Sequence, residues 1–179
     1  MTKQEKKQIM AAELKKAGFN SRQVSIRSKS CTYSWSFDVK IHDINVSIRQ
    51  VEDIVNGFES IRYDQYTGEI LSGGNDYVFV EKDWNLQYPE PSKELVDIID
   101  QVKEMEEGHG KMFEGYYIMN INGRIELSND YECLDHVKHG IWYREPTDRI
   151  AGDFSKIIFE NKLNENYLKT KKEGMKKAC

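Results

Sequence analysis

Cysteine, proline and histidine are scarce in this 179-residue chain, with three, three and four copies respectively. Cys31, Cys133 and Cys179 are too few and too scattered to form a disulfide framework, so a reducing, cytoplasmic setting is expected. No apolar run approaches the roughly 20 residues needed to cross a bilayer. The opening Met1-Thr-Lys-Gln-Glu-Lys-Lys7 has no apolar segment behind it, and a secretory leader is not expected. Catalytic fingerprints are missing too. There is no nucleophile elbow, no serine or cysteine triad spacing and no dinucleotide motif. Gly73-Gly74 lacks the lysine and hydroxyl residue of a phosphate loop. Neither internal repeats nor low-complexity tracts occur.

What is present describes a soluble α+β protein. Hydrophobic residues make up 39% and charged residues 31%, enough apolar surface for one substantial core or two small ones. The net charge of −4 conceals a segregation along the chain. Residues 1–49 hold 10 basic and 4 acidic side chains, residues 50–110 hold 4 and 15, and residues 111–179 hold 12 and 11. A strongly acidic middle block repels nucleic acid and attracts a basic protein groove; the basic first block does the reverse.

Local patterns predict the elements. Thr2-Lys-Gln-Glu5 has capping-box spacing, and Ile9, Met10, Leu14 and Ala17 follow at helical intervals, predicting a helix over 3–17 that ends at Gly18. Val24 and Ile26 predict a short strand. Tyr33, Trp35, Phe37, Val39 and Ile41 alternate with polar neighbours, predicting a half-buried strand with all five on its apolar side. Ser47-Ile-Arg-Gln50 is a second capping box, opening a helix with Ile48, Val51, Ile54, Val55 and Phe58 on its inner face. Strand segments are expected at 61–63, 69–71 and 77–80, around the Thr67-Gly68 and Gly73-Gly74 turns. Tyr88-Pro-Glu-Pro91 breaks the chain and suggests a linker over 84–92 between a first unit, 1–83, and a second half, 93–179. Within that half, Pro91 and Ser92 open a helix with Leu95, Ile98, Ile99 and Val102 inward. Asn122-Gly123 predicts a tight hairpin between 116–121 and 124–127, with Ile141-Trp-Tyr143 as a third strand. Phe154, Ile157, Ile158, Leu163 and Leu168 mark a last helix, followed from Lys169 by a basic tail expected to fray.

The stretch Asp64-Gln-Tyr-Thr-Gly-Glu-Ile-Leu-Ser-Gly-Gly-Asn-Asp-Tyr-Val-Phe-Val80 resembles the end of the large polyvalent protein associated domain, a module of phage, plasmid and integrative-element proteins. The resemblance extends back through Val46-Ser-Ile-Arg-Gln-Val-Glu-Asp-Ile-Val55, the run 33–41 and Val24-Ser-Ile-Arg27, covering roughly residues 20–83. It implies a setting on a mobile genetic element and carries no reaction with it.

Three clusters are candidate sites. Glu94, Asp97, Asp100, Glu104 and Glu107 recur at intervals of three and four, which predicts a row of carboxylates on one helix face, opposite the apolar stripe. Such a row either is a solvated surface or imitates a phosphate backbone toward a partner's arginines. Cys133, His136 and His139 have the spacing of a partial metal site, with Asp135 or Glu132 as the oxygen ligand it would need, and a polar loop before Ile141-Trp-Tyr143 explains them equally well. Asp64, Glu69, Asp76 and Glu81 gather acids around the glycine turns, as a metal-dependent nuclease needs, although turn chemistry accounts for Asp64 and the glycines without any reaction. Arg22, Arg27, Lys29 and Lys40, near Tyr33 and Trp35, offer a basic, aromatic surface for single-stranded nucleic acid, with Trp35 expected in the core instead.

Taken with the resemblance, these features imply an accessory protein of a mobile element that binds and disables a host defence component, a Cas nuclease or its guide-RNA complex first among them. No cofactor, metal or catalytic residue is assigned in this reading, and the carboxylate row is the partner-binding surface. A nuclease acting on guide RNA and a nucleic-acid-binding module working through the basic N-terminal region are the alternatives.

Overall fold

The computed structural model describes residues 1–31, 33–128, 139–142 and 144–178. Among the described residues the fold is α+β, with four α-helices and two sheets. The chain forms two compact units, Met1–Gln87 with Lys162–Cys179, and Tyr88–Asn161. The first boundary lies between Gln87 and Tyr88. The last segment, expected with the second half, belongs instead to the first unit.

In the first unit, helix α1 (Lys3–Lys16) starts at a complete capping box. Thr2 Oγ1 accepts from the Glu5 amide at 3.2 Å, and Glu5 Oε2 accepts from the Thr2 amide at 2.8 Å. Strands β1 (Val24–Cys31) and β2 (Ser34–Ile41) pair antiparallel, and β3 (Asp76–Lys82) joins β2 in parallel, giving the order β1-β2-β3. The parallel return requires a long connection, and helix α2 (Ile48–Val55) lies within it, followed by a 3-10 turn at Asn56–Phe58. Ser47 caps α2 by accepting from the Gln50 amide at 3.2 Å. Met10 and Leu14 of α1, Phe37, Val39 and Ile41 of β2, and Val51 and Val55 of α2 are buried together in one core.

The expectations for Tyr33 and for the segments 61–63 and 69–71 change here, and that for Trp35 does not. Tyr33 is not on the apolar side; it sits in the β1–β2 turn at φ +60 and is 85% exposed. Trp35 does pack against the core. Residues 61–63 and 69–71 form no strands, because they meet only through an isolated Tyr63–Ile70 bridge.

The same unit includes the end of helix α4 (Thr147–Ala178), which stays helical where fraying was expected. Asn164 Oδ1 accepts from Ser47 Oγ at 2.7 Å, while Asp53 Oδ2 accepts from Tyr167 Oη at 2.9 Å and Lys171 Nζ at 2.6 Å. These partners, Lys171 foremost, hold the Asp53 carboxyl below its usual range. The contacts give the polar end of α4 definite partners.

In the second unit, helix α3 (Lys93–Lys103) packs with an antiparallel sheet of order β4-β5-β6-β7: β4 (Gly110–Phe113), β5 (Tyr116–Ile121), β6 (Arg124–Ser128) and β7 (His139–Trp142). Asn122 and Gly123 both have positive φ, +49 and +71, as the two-residue turn demands. Leu95, Ile99 and Val102 meet Ile118, Ile125 and Leu127 of the sheet and Ile150, Phe154 and Ile158 of α4.

Gly110, Met119, Glu126 and Gly140 lie in register across the four strands. A Cβ on Gly110 would fall 2.5 Å from Met119 Cγ, and one on Gly140 would fall 3.3 Å from Glu126 Cγ. The two larger side chains are thus accommodated beside glycines, and both are buried.

Candidate functional site

The carboxylate row is built on α3. Ser92 Oγ accepts from the Leu95 amide at 3.2 Å and starts the helix. Glu94 in the first turn and Lys103 in the last complement the helix dipole. With Leu95, Ile99 and Val102 buried, a 100° step per residue carries Glu94, Asp97 and Asp100 to the opposite side, and all three are exposed.

The row does not continue as one helical stripe. Glu104 and Met105 donate their amides to the carbonyls of Gln101 and Val102, tightening the last turn. Asn120 Nδ2 donates to the Met105 carbonyl at 3.1 Å, and the Gly108 amide donates to the Asn120 carbonyl at 2.7 Å. Glu104 is therefore the C-cap, and Glu107 lies beyond the helix in the turn leading to β4, which corrects the expected five-residue helical face.

Two of the five acids also have local roles. Asp100 Oδ1 accepts from Thr147 Oγ1 at 2.5 Å, and Glu107 Oε1 accepts from the Asn122 amide at 3.1 Å, bracing the hairpin turn. The side chains of Glu94, Asp97 and Glu104 make no hydrogen bond or ion pair among the described residues and face solvent. Spread over ten residues, the four acids from Glu94 to Glu104 place one charge per roughly 5 Å of helix axis. Phosphates along one DNA strand advance by about 3.4 Å each.

The acids around the glycine turns do not converge. Asp64 Oδ1 accepts from the amides of Tyr66 and Thr67, both at 2.8 Å, in an Asx-type turn. Those amides hold its carboxyl below the usual range. Asp76 pairs with Lys6, and Glu81 lies 3.4 Å from Lys40. No group of three or more potential metal ligands occurs among the described residues. Gly73 and Gly74 both take positive φ, and a Cβ on Gly73 would come within 3.0 Å of Tyr33 Cβ. Buried Asn75 secures the same loop, accepting from the Arg62 amide and donating to the Leu71 carbonyl. The glycine-rich wording of this stretch is explained by the close passage of two turns.

Cys133 and His136 lie outside the described residues, as does the side chain of His139. Of the basic residues near Tyr33 and Trp35, Lys29 pairs with Asp38 at 2.6 Å and Lys40 with Glu81, while Arg22 and Arg27 are exposed. Trp35 is turned toward the core and presents no stacking platform beside them.

Sequence reasoning missed two features. Glu126 is a buried carboxyl on β6, pushed up by burial against a smaller lowering by Arg124, and its Oε2 has no partner among the described residues. An apolar groove also lies between α1 and β1. Alternation exposed neither, because Glu126 sits on the face of β6 opposite Ile125 and Leu127, and the groove depends on how a helix meets a strand.

No family model, curated protein or solved structure matches the chain.

Proposed function

We propose that this protein is a non-enzymatic accessory factor of a mobile genetic element, an anti-CRISPR protein that inhibits a Cas nuclease or its guide-RNA complex by occupying a basic nucleic-acid groove. The observation that carries the reading is the outer side of α3, where Glu94, Asp97 and Glu104 stand exposed and unpaired on a helix fixed from its inner side by Leu95, Ile99 and Val102. A preformed helix spares binding the cost of ordering the backbone that carries the carboxylates, about 1–2 kcal/mol per residue. Asp64, Asp76 and Glu81 are engaged by the amides of Tyr66 and Thr67, by Lys6 and by Lys40, and no group of three or more potential metal ligands occurs among the described residues. The resemblance over residues 20–83 supplies the setting.

The test is target cleavage by a panel of purified Cas nuclease–guide complexes, with and without a molar excess of the protein. Inhibition of one complex, relieved by the combined Glu94→Lys, Asp97→Lys and Glu104→Lys substitutions, is expected. Metal-dependent degradation of guide RNA by the protein alone, or equal inhibition by the charge-reversed variant, would overturn it.

A further inference from the structure

We infer that the free edge of β1, together with the groove beside it, is a docking site for an extended acidic segment of a partner protein, which adds to the sheet as a fourth strand. This surface is separate from the α3 carboxylates and does not depend on their role.

The backbone comes first. β1 is an edge strand in the order β1-β2-β3. His42 donates its amide to the Gln23 carbonyl at 2.7 Å, which sets the alternation of the antiparallel ladder. Residues 25, 27 and 29 therefore direct their backbone groups to β2, and Ile26, Ser28 and Ser30 direct theirs outward. Consistently, the partners of Ser30 and Val24 on β2 point the other way: the Trp35 amide donates to Asn75 and the Ile41 carbonyl accepts from Asp83. The outward groups of Ile26, Ser28 and Ser30 have no backbone partner among the described residues. An extended peptide would satisfy them, with main-chain bonds giving affinity and side-chain pockets giving selectivity.

A pocket is in place. The groove between β1 and α1 encloses about 530 Å3 and is walled by Leu14, Phe19, Val24 and Ile26, with Lys7 and Lys15 also lining it. It has room for more than one of the alternate apolar side chains that an added strand would turn toward Val24 and Ile26.

Charge selects the occupant. Residues 1–31 carry eight basic and two acidic side chains. Arg27 is exposed on β1 and makes no ion pair among the described residues. A second copy is disfavoured, because antiparallel self-pairing centred on Ser28 would set Arg27 opposite Lys29, and like charges facing each other across strands destabilise the pair. Nucleic acid would gain nothing from the apolar walls. An acidic segment with alternating apolar residues satisfies the backbone, the pocket and the charge together.

The probe is a capped peptide of about seven residues alternating valine and glutamate, compared with a valine–lysine counterpart. NMR-detected amide exchange is followed in the full chain. With peptide at ten times its Kd, exchange at Ile26, Ser28 and Ser30 should slow about tenfold, and the lysine peptide should leave it unchanged. Ser28→Pro, which removes an outward N–H tolerated as proline on an edge, should abolish the effect. If that variant does not fold, Lys7→Glu with Arg27→Glu should reverse the preference between peptides. Unchanged exchange, equal slowing by both peptides, slowing by a single-stranded oligonucleotide instead, or a homodimer dissociated by Ser28→Pro would each overturn the proposal.

Discussion

Lys6 Nζ donates to Asp76 Oδ2 at 2.5 Å, and the lysine is only 5% exposed. Its ammonium also lies 5.9 Å from the centre of the Phe37 ring. One side chain of α1 thus reaches across the core to the first residue of β3, joining the N-terminal helix to the strand that closes the sheet. Asp76 is anchored further by exchanging backbone bonds with Ser60, at 2.8 and 2.9 Å. Breaking such a pair from one side leaves a charge buried without a partner, which costs more than replacing both members. We expect Asp76→Asn to destabilise by about 2–4 kcal/mol. The double variant Lys6→Met with Asp76→Asn should lose less than the sum of the single losses, as measured by denaturant unfolding in a double-mutant cycle. Additive losses would mean the pair contributes nothing as a pair.

Trp35 gives a sharper test of how β2 faces the core. It packs against the cluster of Phe37, Val39 and Ile41, in register with Ser30 and Asp76. Trp35→Asp places a charge against that cluster and should cost about 2–4 kcal/mol, while Ser34→Asp on the opposite face should change stability little. A Trp35→Asp variant that melts cooperatively at the parent temperature would show the strand faces to be reversed.

Much of this was legible in local patterns, and the misses share one cause. Alternation marked β2, Thr2 and Glu5 marked the start of α1, and Asn122-Gly123 marked the hairpin, because each signal is satisfied within a few residues. The strand order is not local: β3 pairs with β2 in parallel across a connection of more than thirty residues, and nothing in 76–82 declares its neighbour. β4 escaped because Gly110-Lys-Met-Phe113 is short and its glycine is required by Met119 on the next strand. Spacing alone extended the acidic stripe to Glu107, whereas the bond from Asn120 to the Met105 carbonyl turns the chain after Lys103. Lys6 belonged by composition to the solvated face of α1, and only the approach of Asp76 takes it inside.

The buried carboxyl of Glu126 sets a pH dependence whose sign can be stated. Burial raises its folded-state pKa, with Arg124 opposing to a smaller extent. Its contribution is therefore fully present below the unfolded pKa and is lost as pH rises through the folded one. Relative to Glu126→Gln, the parent protein should lose stability as pH rises above the ordinary carboxylate range, and the gap in Tm should widen in the variant's favour as it does so. Parallel Tm profiles for parent and variant would show that the carboxyl titrates alike in both states.

The α3 carboxylates make a kinetic prediction. If they steer the protein into a basic groove, they act chiefly on encounter, since unpaired surface charges set the field more than the bound-state energy. Reversing Glu94, Asp97 and Glu104 to lysine alters side chains that make no hydrogen bond or ion pair among the described residues, so Asp97→Lys should change stability by under about 0.5 kcal/mol. Glu94→Lys opposes the helix dipole at the N-terminus and Glu104→Lys favours it at the C-terminus, by about 0.3–1 kcal/mol each and in opposite directions. Asp100 and Glu107 are left intact because they hold Thr147 and the Asn122 amide. Association with the target should slow by at least about tenfold at low ionic strength, and the difference should shrink as the Debye length falls from about 30 Å at 0.01 M to about 8 Å at physiological salt. Dissociation should change less. Reversing Arg22, Lys169 and Lys172 on the first unit is the matched control, equal in number of charges, exposed and outside the groove beside β1, and it should leave association with a basic groove unslowed. Stopped-flow association of both variants, each first shown to melt like the parent, separates the outcomes. Because the two variants shift net charge in opposite directions, equal slowing by both would mean that charge is not the cause, and no slowing by the acidic-face variant would leave α3 with a solvated surface and no part in binding.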